Sequence, residues 1–451
     1  MGVRDVARKA GQILRHWRDS INRDLEVSGY GTGQAGPGQA GAGQVPVRQP
    51  GQMSRVLFVV PPLTGHINPT VAVGAELAAR GHDVAWAGHQ AALWSLLPAG
   101  ARVFPVSGDA PDAEMAGLRA PGARVAGVPD HRRPPRGPDA MKFVWENLIM
   151  PLAHAMLPGV TDAVAQFAPH VVVADQQAIA GAVAARQAGV VWVTSASTPG
   201  ELLRPPGMQR VEAWVRDQMT AFQLACGVSD PADLRFSDRL VLVFTTAALI
   251  GETRGFGARY VFTGPALVRR PDRESSFPWE WLDPARRHLL VTLGTLSGPA
   301  GPRFFPTVVD ALAGLGGELQ AVLAAPPAPA GQQVPPHILF AGHVPQLALL
   351  PHMSAVVCHG GQNTVCEALA HGLPLVVTPM RHDQPIIARQ VADAGAGVTL
   401  RIDQLRATEL RDAVRAVLDE PSYRAAAVVV RDSFAAAGGA TTAADHLEKL
   451  V

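Results

Sequence analysis

One pattern limits the folds open to this chain more than any other. Residues 55–88 read RVLFVVPPLTGHINPTVAVGAELAARGHDVAWAG. A continuous apolar run of strand length leads into a turn with Gly and Pro, then a helical pattern closed by Gly81, then a second apolar run. A run without polar alternation has to be covered on both faces, and helical crossovers between parallel strands supply that cover. The unit is β–loop–α–β and predicts an open parallel sheet. It recurs over residues 169–196, PHVVVADQQAIAGAVAARQAGVVWVTSA, as strand, loop, helix, glycine and strand.

A second series starts near Arg287. RHLLVTLGT reads as a strand and a glycine turn, FFPTVVDALAGL as a helix, and LQAVLAA, HILFAGHVP, AVVCHGG and PLVVTPM as further strands. Between the two series, GPALVRRPDRESSFPWEWLD is rich in proline and charge and reads as a linker. The chain has 451 residues, more than a single domain usually holds. The expectation is therefore α/β, with two doubly wound domains facing each other across a cleft. One spans residues 53–264 and the other 287–451, joined by 265–286. The last helix, from about Thr441, is free to pack on either domain. Stretches around 110–140 and 198–237 follow strand ends and are candidate substrate loops.

Residues 1–52 differ in kind. Val6, Ala10, Ile13, Leu14, Trp17 and Ile21 recur at helical spacing, with Arg and Lys on the other face. GYGTGQAGPGQAGAGQVPVRQPGQ then reads as a flexible low-complexity linker. The helix is open to three readings: a solvated or lightly docked tail, an anchor for a partner or a membrane surface through residues 1–25, or the product of an upstream start, since Met53 directly precedes the first strong strand.

A formal net charge of +1 provides no overall field toward nucleic acid or an acidic membrane. Cys226, Cys358 and Cys366 show neither CxxC nor metal-ligand spacing, so a reduced, cytoplasmic chain without disulfides is expected. No apolar run reaches the length of a membrane span, and the N-terminus lacks a secretory h-region and cleavage site. Monomer and homodimer both stay open.

The second series carries most of the chemistry. SAVVCHGGQNTVCEALAHG reads as strand, turn and helix. Gly360 and Gly361 permit a tight turn and close backbone approach. Asn363 and Thr364 open the helix, whose N-terminal N–H groups make an anion site, with His359 beside it as a further donor. Glu367, about one turn on, suits a ribose diol rather than a phosphate. Such a turn alone opens many helices. Here HVPQ (His343, Val344, Gln346) precedes it, and Asp383 and Gln384 follow the next strand. Both are expected at the carboxyl ends of adjacent strands on one rim. A carboxylate beside an amide reads sugar hydroxyls well, because they can donate to Asp383 and both donate to and accept from Gln384. Base platform, ribose acid, phosphate turn and sugar reader in that order describe a nucleotide-sugar site.

The run from HVPQ through HGGQNTVCEAL to HDQ resembles the donor signature of GT-B family 1 glycosyltransferases, a group that includes bacterial carotenoid and antibiotic glycosyltransferases. The resemblance spans nearly all of Arg55 to Val451 in layout. It implies that His359, Asn363 and Thr364 contact the pyrophosphate, that Glu367 holds the ribose, and that Asp383 and Gln384 hold the hexose. It also implies that the LGT turn, Gly294 and Thr295, approaches the phosphates. One position departs: the family's first signature residue is usually a Trp that stacks on the base, and here it is His343. Base recognition then leans on backbone groups of Val344.

In the first series, His66 follows the first strand and Asp175 ends VVVAD. A histidine held by a carboxylate is a competent general base. The residues alone leave open a loop histidine and an unrelated aspartate. The resemblance pairs them, because the family carries its catalytic His in a GHxxP turn, here GHINP. No HExxH, acidic DxD or Cys/His cluster marks a metal site, and the family generally acts without a divalent ion. FVWENLIMPLAHAMLPG and VEAWVRDQMTAFQLACG read as core helices, some of whose side chains wall an apolar acceptor pocket.

The expectation is an inverting glycosyltransferase without a cofactor. It would take a nucleotide diphosphate sugar as co-substrate, with UDP favoured, and a small lipophilic natural product as acceptor. The alternatives are a UDP-sugar 2-epimerase, a lipid-acceptor transferase, or a non-catalytic nucleotide-binding helper of a partner transferase.

Overall fold

The computed structural model describes residues 53–106, 137–198, 202–203, 207–267, 277–294, 301–328 and 331–451. The expected N-terminal helix and linker, most of the 110–140 stretch, and Thr295 lie outside the described residues.

The described chain forms two parallel sheets. The first contains β1 (Arg55–Val59), β2 (Asp83–Gly88), β3 (Arg102–Pro105), β4 (Val171–Asp175), β5 (Val191–Ala196), β6 (Val241–Val243) and β7 (Tyr260–Phe262), in the order β3-β2-β1-β4-β5-β6-β7. The second contains β8 (Arg287–Thr292), β9 (Leu319–Ala324), β10 (Ile338–Ala341), β11 (Ala355–Cys358), β12 (Leu375–Val377) and β13 (Gly397–Thr399), in the order β10-β9-β8-β11-β12-β13. Every pairing is parallel.

The unbroken apolar runs are explained by β1. Leu57 and Val59 enter one core with β4, helix α2 (Met150–Phe167) and helix α3 (Ile179–Gln187). Val56 and Phe58 enter another on the opposite face, with helix α1 (Thr64–Ala79). Successive side chains point to opposite faces, so a strand buried on both faces has no place for polar alternation.

Helix α2 continues a longer helical run over Pro138–Phe167, whose middle turn, Trp145–Ile149, is π-helical. This 30-residue run is long and apolar enough to cross a membrane, which corrects the expectation that no such run exists. The core helix of a soluble unit meets the same test, and this one buries Trp145, Ile149, Leu152, Met156 and Val160 against the first sheet. Helix α4 (Gln209–Ala225) packs Val215, Met219 and Phe222 into the same core. Both apolar segments flagged in the sequence thus supply core side chains.

A charged node holds this layer. Arg235 is 1% exposed, and its guanidinium donates to Glu212 at 3.0 Å and to Asp233 at 2.8 Å. It also lies over Trp145, 5.9 Å from the ring centroid.

The two sheets do not meet through the linker alone. Leu249 and Ile250, from the short helix after β6, share a core with Val365, Ile387 and Phe434 of the C-terminal unit. Helices α5 (Gln362–Ala370), α6 (Gln384–Asp393) and α7 (Pro421–Ala437) belong to that core. After α7 the chain turns at Gly438 and Gly439, both at positive φ, and helix α8 (Gly439–Glu448) packs on α1 of the first unit. Arg80 clamps it by donating to Asp445 at 2.7 Å and Glu448 at 2.8 Å. The placement left open by the sequence is therefore settled on the N-terminal side.

Replacing Arg235 by Leu strands the buried carboxylate of Glu212 and removes the partner of the partly exposed Asp233. Denaturant unfolding is expected to show a loss of about 3–5 kcal/mol. A loss near zero would mean that the node contributes no net stability.

Candidate active site

Where neighbouring parallel strands send their crossovers to opposite faces, their carboxyl ends part and leave a crevice. The order of the first sheet reverses between β1 and β4, and that of the second between β8 and β11. His66 follows β1 and Asp175 ends β4, so they flank the first crevice. Gly294 follows β8 and His359 follows β11, so they flank the second.

His66 lies in the first turn of α1, which begins at Thr64, rather than in a loop before it. Its Nδ1 is 2.9 Å from Asp175 Oδ1 and 2.7 Å from Ser197 Oγ. Ser197 donates to Asp175 Oδ2 at 2.7 Å, and the Gln177 backbone N–H donates to Oδ1 at 2.9 Å. Asp175 is 1% exposed. With the Ser197 proton engaged by Asp175, two acceptor oxygens face Nδ1. The proton therefore belongs on Nδ1, which makes Nε2 the basic nitrogen.

Pro69 has a specific consequence in this turn. A non-proline residue there would donate to the carbonyl four residues earlier, that of Gly65. The Gly65 carbonyl instead accepts from Asn363 Nδ2 of the other unit at 3.3 Å.

On the second sheet, the His359 ring lies between two glycines. A methyl group on Gly294 would sit 2.5 Å from its Cε1, and one on Gly361 would sit 2.5 Å from its Nε2. Gly294 and Gly360 are also at positive φ. Any side chain at Gly294 or Gly361 would displace the imidazole. Burial pushes His359 down to about 4, opposed by the Asp383 charge and reinforced by that of Arg381. Near neutral pH it is uncharged. Gly361 precedes α5 without a side-chain cap, so the first-turn N–H groups are presented to an incoming anion. Asn363 reaches across the cleft, whereas Thr364 is buried at 9% exposure.

Glu367 is 3% exposed and accepts from Gln346 Nε2 at 2.5 Å. The expected adjacency of strands is corrected here. HVPQ follows β10, which is separated from β11 by β9 and β8. Gln346 reaches Glu367 because it opens the short helix Gln346–Leu349, whose Leu349 packs in one core with Val365 and Leu369 of α5. His343 is exposed, and the Val344 carbonyl already accepts from the Gln346 N–H at 2.9 Å. An open cleft of about 410 Å³, solvent space included, lies between the units. Its walls include Asn68, Phe244 and Leu267 on one side and Gln362, Asn363 and Glu367 on the other.

At the far end, Asp383 accepts from Thr198 Oγ1 of the first unit. The Gln384 amide oxygen accepts from the N–H groups of Met380 at 2.9 Å and Arg381 at 3.1 Å. With both lone pairs engaged, Gln384 presents only its NH₂ group to a ligand, not the expected donor and acceptor together. His382, directly before Asp383, holds φ 56°. Among the described residues, no group of three or more His, Cys, Asp or Glu side chains sits close enough to hold a metal ion.

The structure thus brings His66 to Asp175, Gln346 to Glu367, and Gly294 and Gly361 to His359. Ser197 and the Gly65 carbonyl were not foreseen, and Thr198 only as the first residue of a candidate substrate loop. A serine and threonine after a strand carry no signal of their own, although the alternative side of GHINP, its proline, was visible.

Residues 306–450 match the family described as erythromycin biosynthesis protein CIII-like, C-terminal domain. The chain is 30% identical over 432 residues to 4'-demethylrebeccamycin synthase of Lentzea aerocolonigenes, covering 88% of this chain and 100% of that one. It is 28% identical over 428 residues to demethyllactenocin mycarosyltransferase of Streptomyces fradiae, covering 89% and 87%. Among solved structures it is similar to the glycotransferase of kitacinnamycin, with a TM-score of 0.69, 25% identity and coverage of 89% and 99%. The two parallel-sheet units form the GT-B fold.

A direct consequence of the His359 environment is measurable. By NMR its ring is expected to titrate near 4 rather than at the ordinary value near 6.5. The folded state then binds fewer protons than the unfolded state between those values. The associated stability is complete above about pH 6.5 and is lost as pH falls toward about 4. A ring that titrates at its ordinary value contradicts this.

Proposed function

Because this chain belongs to the family of natural-product glycosyltransferases, we propose that it is an inverting enzyme. It moves a hexose from a nucleotide diphosphate sugar to a nucleophilic hydroxyl of a small lipophilic acceptor. The observation that carries this reading is the His66–Asp175–Ser197 hydrogen-bonded set, across the cleft from the N-terminus of α5. His66 Nε2 takes the acceptor proton while Asp175 stabilises the imidazolium that forms. The acceptor oxygen attacks the anomeric carbon opposite the departing diphosphate, so an α-linked donor gives a β-glycoside.

The diphosphate is held by the first-turn N–H groups of α5, by the neutral His359 and by Asn363. Preorganised donors of this kind stabilise charge on a leaving group without reorganising, so no resident cofactor is needed. Glu367, oriented by Gln346, accepts from a ribose diol and favours a UDP-sugar over a dTDP-sugar. Asp383 accepts from hexose hydroxyls, and Gln384 donates to them. His343 is exposed beside the base position and offers an imidazole face in place of an indole.

His66→Ala is expected to keep nucleotide binding while transfer falls by about 10²–10⁴-fold. Transfer at the wild-type rate would remove the assigned base. In thermal shift assays, UDP is expected to raise the melting temperature more than dTDP at equal concentration, because only a ligand that binds the native state stabilises it. The reverse order would overturn the role given to Glu367.

A further inference from the structure

Among the described residues, two side-chain hydrogen bonds cross the cleft at this site, one to the residue before the base and one from the residue after Ser197. Asn363 donates to the carbonyl of Gly65, one residue before His66. Thr198 donates to Asp383 and directly follows Ser197. Ser197 is 4% exposed and Thr198 7% exposed, so water competes little for either hydroxyl. Their partners lie in opposite directions: Ser197 meets His66 and Asp175 within its own unit, and Thr198 meets the other unit.

Building on the roles assigned above to His66 and Asp383, we propose that Ser197 and Thr198 are a positioning pair that ties the sugar subsite to the general base. Ser197 restrains the His66 imidazole by engaging Asp175 Oδ2 and placing its own oxygen against Nδ1. Thr198 supplies the N-terminal unit's hydroxyl to the sugar subsite. A sugar hydroxyl entering there meets an acceptor in Asp383 and, in Thr198, an oxygen that both donates and accepts. A shift of Thr198 on sugar binding passes through one peptide unit to Ser197. The sugar is thereby sensed by the base as well as by the donor domain. β5 delivers both residues, because it lies beside β4, the strand that ends in Asp175.

The two residues have separable signatures. With the full chain, the better of UDP-glucose and dTDP-glucose, and an acceptor chosen from a panel of lipophilic phenols and alcohols, Ser197→Ala is expected to lower kcat about tenfold with donor KM unchanged, because it removes both the donor to Asp175 Oδ2 and the oxygen facing His66 Nδ1. Thr198→Val keeps the side-chain shape and is expected to raise donor KM about tenfold while leaving the Kd of the sugarless nucleoside diphosphate unchanged. Thr198→Ser is expected to restore KM. In an Asp383→Asn background, Thr198→Val is expected to add less than it does alone. Thermal unfolding of each variant separates these effects from misfolding.

Wild-type kcat in folded Ser197→Ala, or equal weakening of sugar nucleotide and free diphosphate in Thr198→Val, overturns the pair. His66→Ala serves as the control. If it still transfers, the functional reading itself fails. If it loses transfer while the Ser197 and Thr198 variants behave as wild type, only the pairing fails.

Discussion

A parallel strand must return through a crossover on one face of its sheet or the other. Where two neighbours choose opposite faces, the chain segments leaving their carboxyl ends diverge and cannot fill the space between them. Both sheets have one such reversal, at β1/β4 and at β8/β11. Everything in the cleft depends on these two gaps. One receives His66 and Asp175, the other the His359 ring between two glycines. The apolar contacts of Leu249 and Ile250 with the C-terminal core, and the return of α8 onto α1, hold the units together so that the gaps share one cleft.

Burial then decides the chemistry available on each side. Asp175 is out of water but receives donors from Gln177, Ser197 and His66, so its desolvation is offset by hydrogen bonds. Those same bonds select the histidine tautomer. His359 is treated in the opposite way. Burial outweighs the nearby Asp383 charge and holds it neutral near pH 7.

Much of this was legible in the sequence. The long apolar runs of β1, β2, β4, β5, β8 and β9 stood out because strands buried on both faces have no polar alternation. The signature residues stood out because Gly360, Gly361, Asn363, Glu367 and Asp383 occur in order. The strands β6, β7 and β13, each three residues long, carried too few side chains to show a period. The HVPQ segment was misplaced because contiguity along the chain is a poor guide to strand order. β10 is an edge strand, and Gln346 reaches Glu367 through helix packing. The dual role expected of Gln384 failed because its oxygen closes a local loop, a competition that residue type alone does not reveal.

By itself the sequence determined the fold class and the chemical inventory, since periodicity and residue type are local properties of the chain. Two doubly wound units, a glycine-rich helix entry and a histidine after the first strand were all readable at that level. Only the tertiary structure decided which groups meet. Ser197 joins His66 and Asp175 because β5 lies beside β4. Asn363 finds the Gly65 carbonyl because Pro69 cannot donate to it. Thr198 touches Asp383 because the two units face each other. Such pairings arise between residues up to 298 positions apart, and a local pattern holds no record of contacts made at that separation.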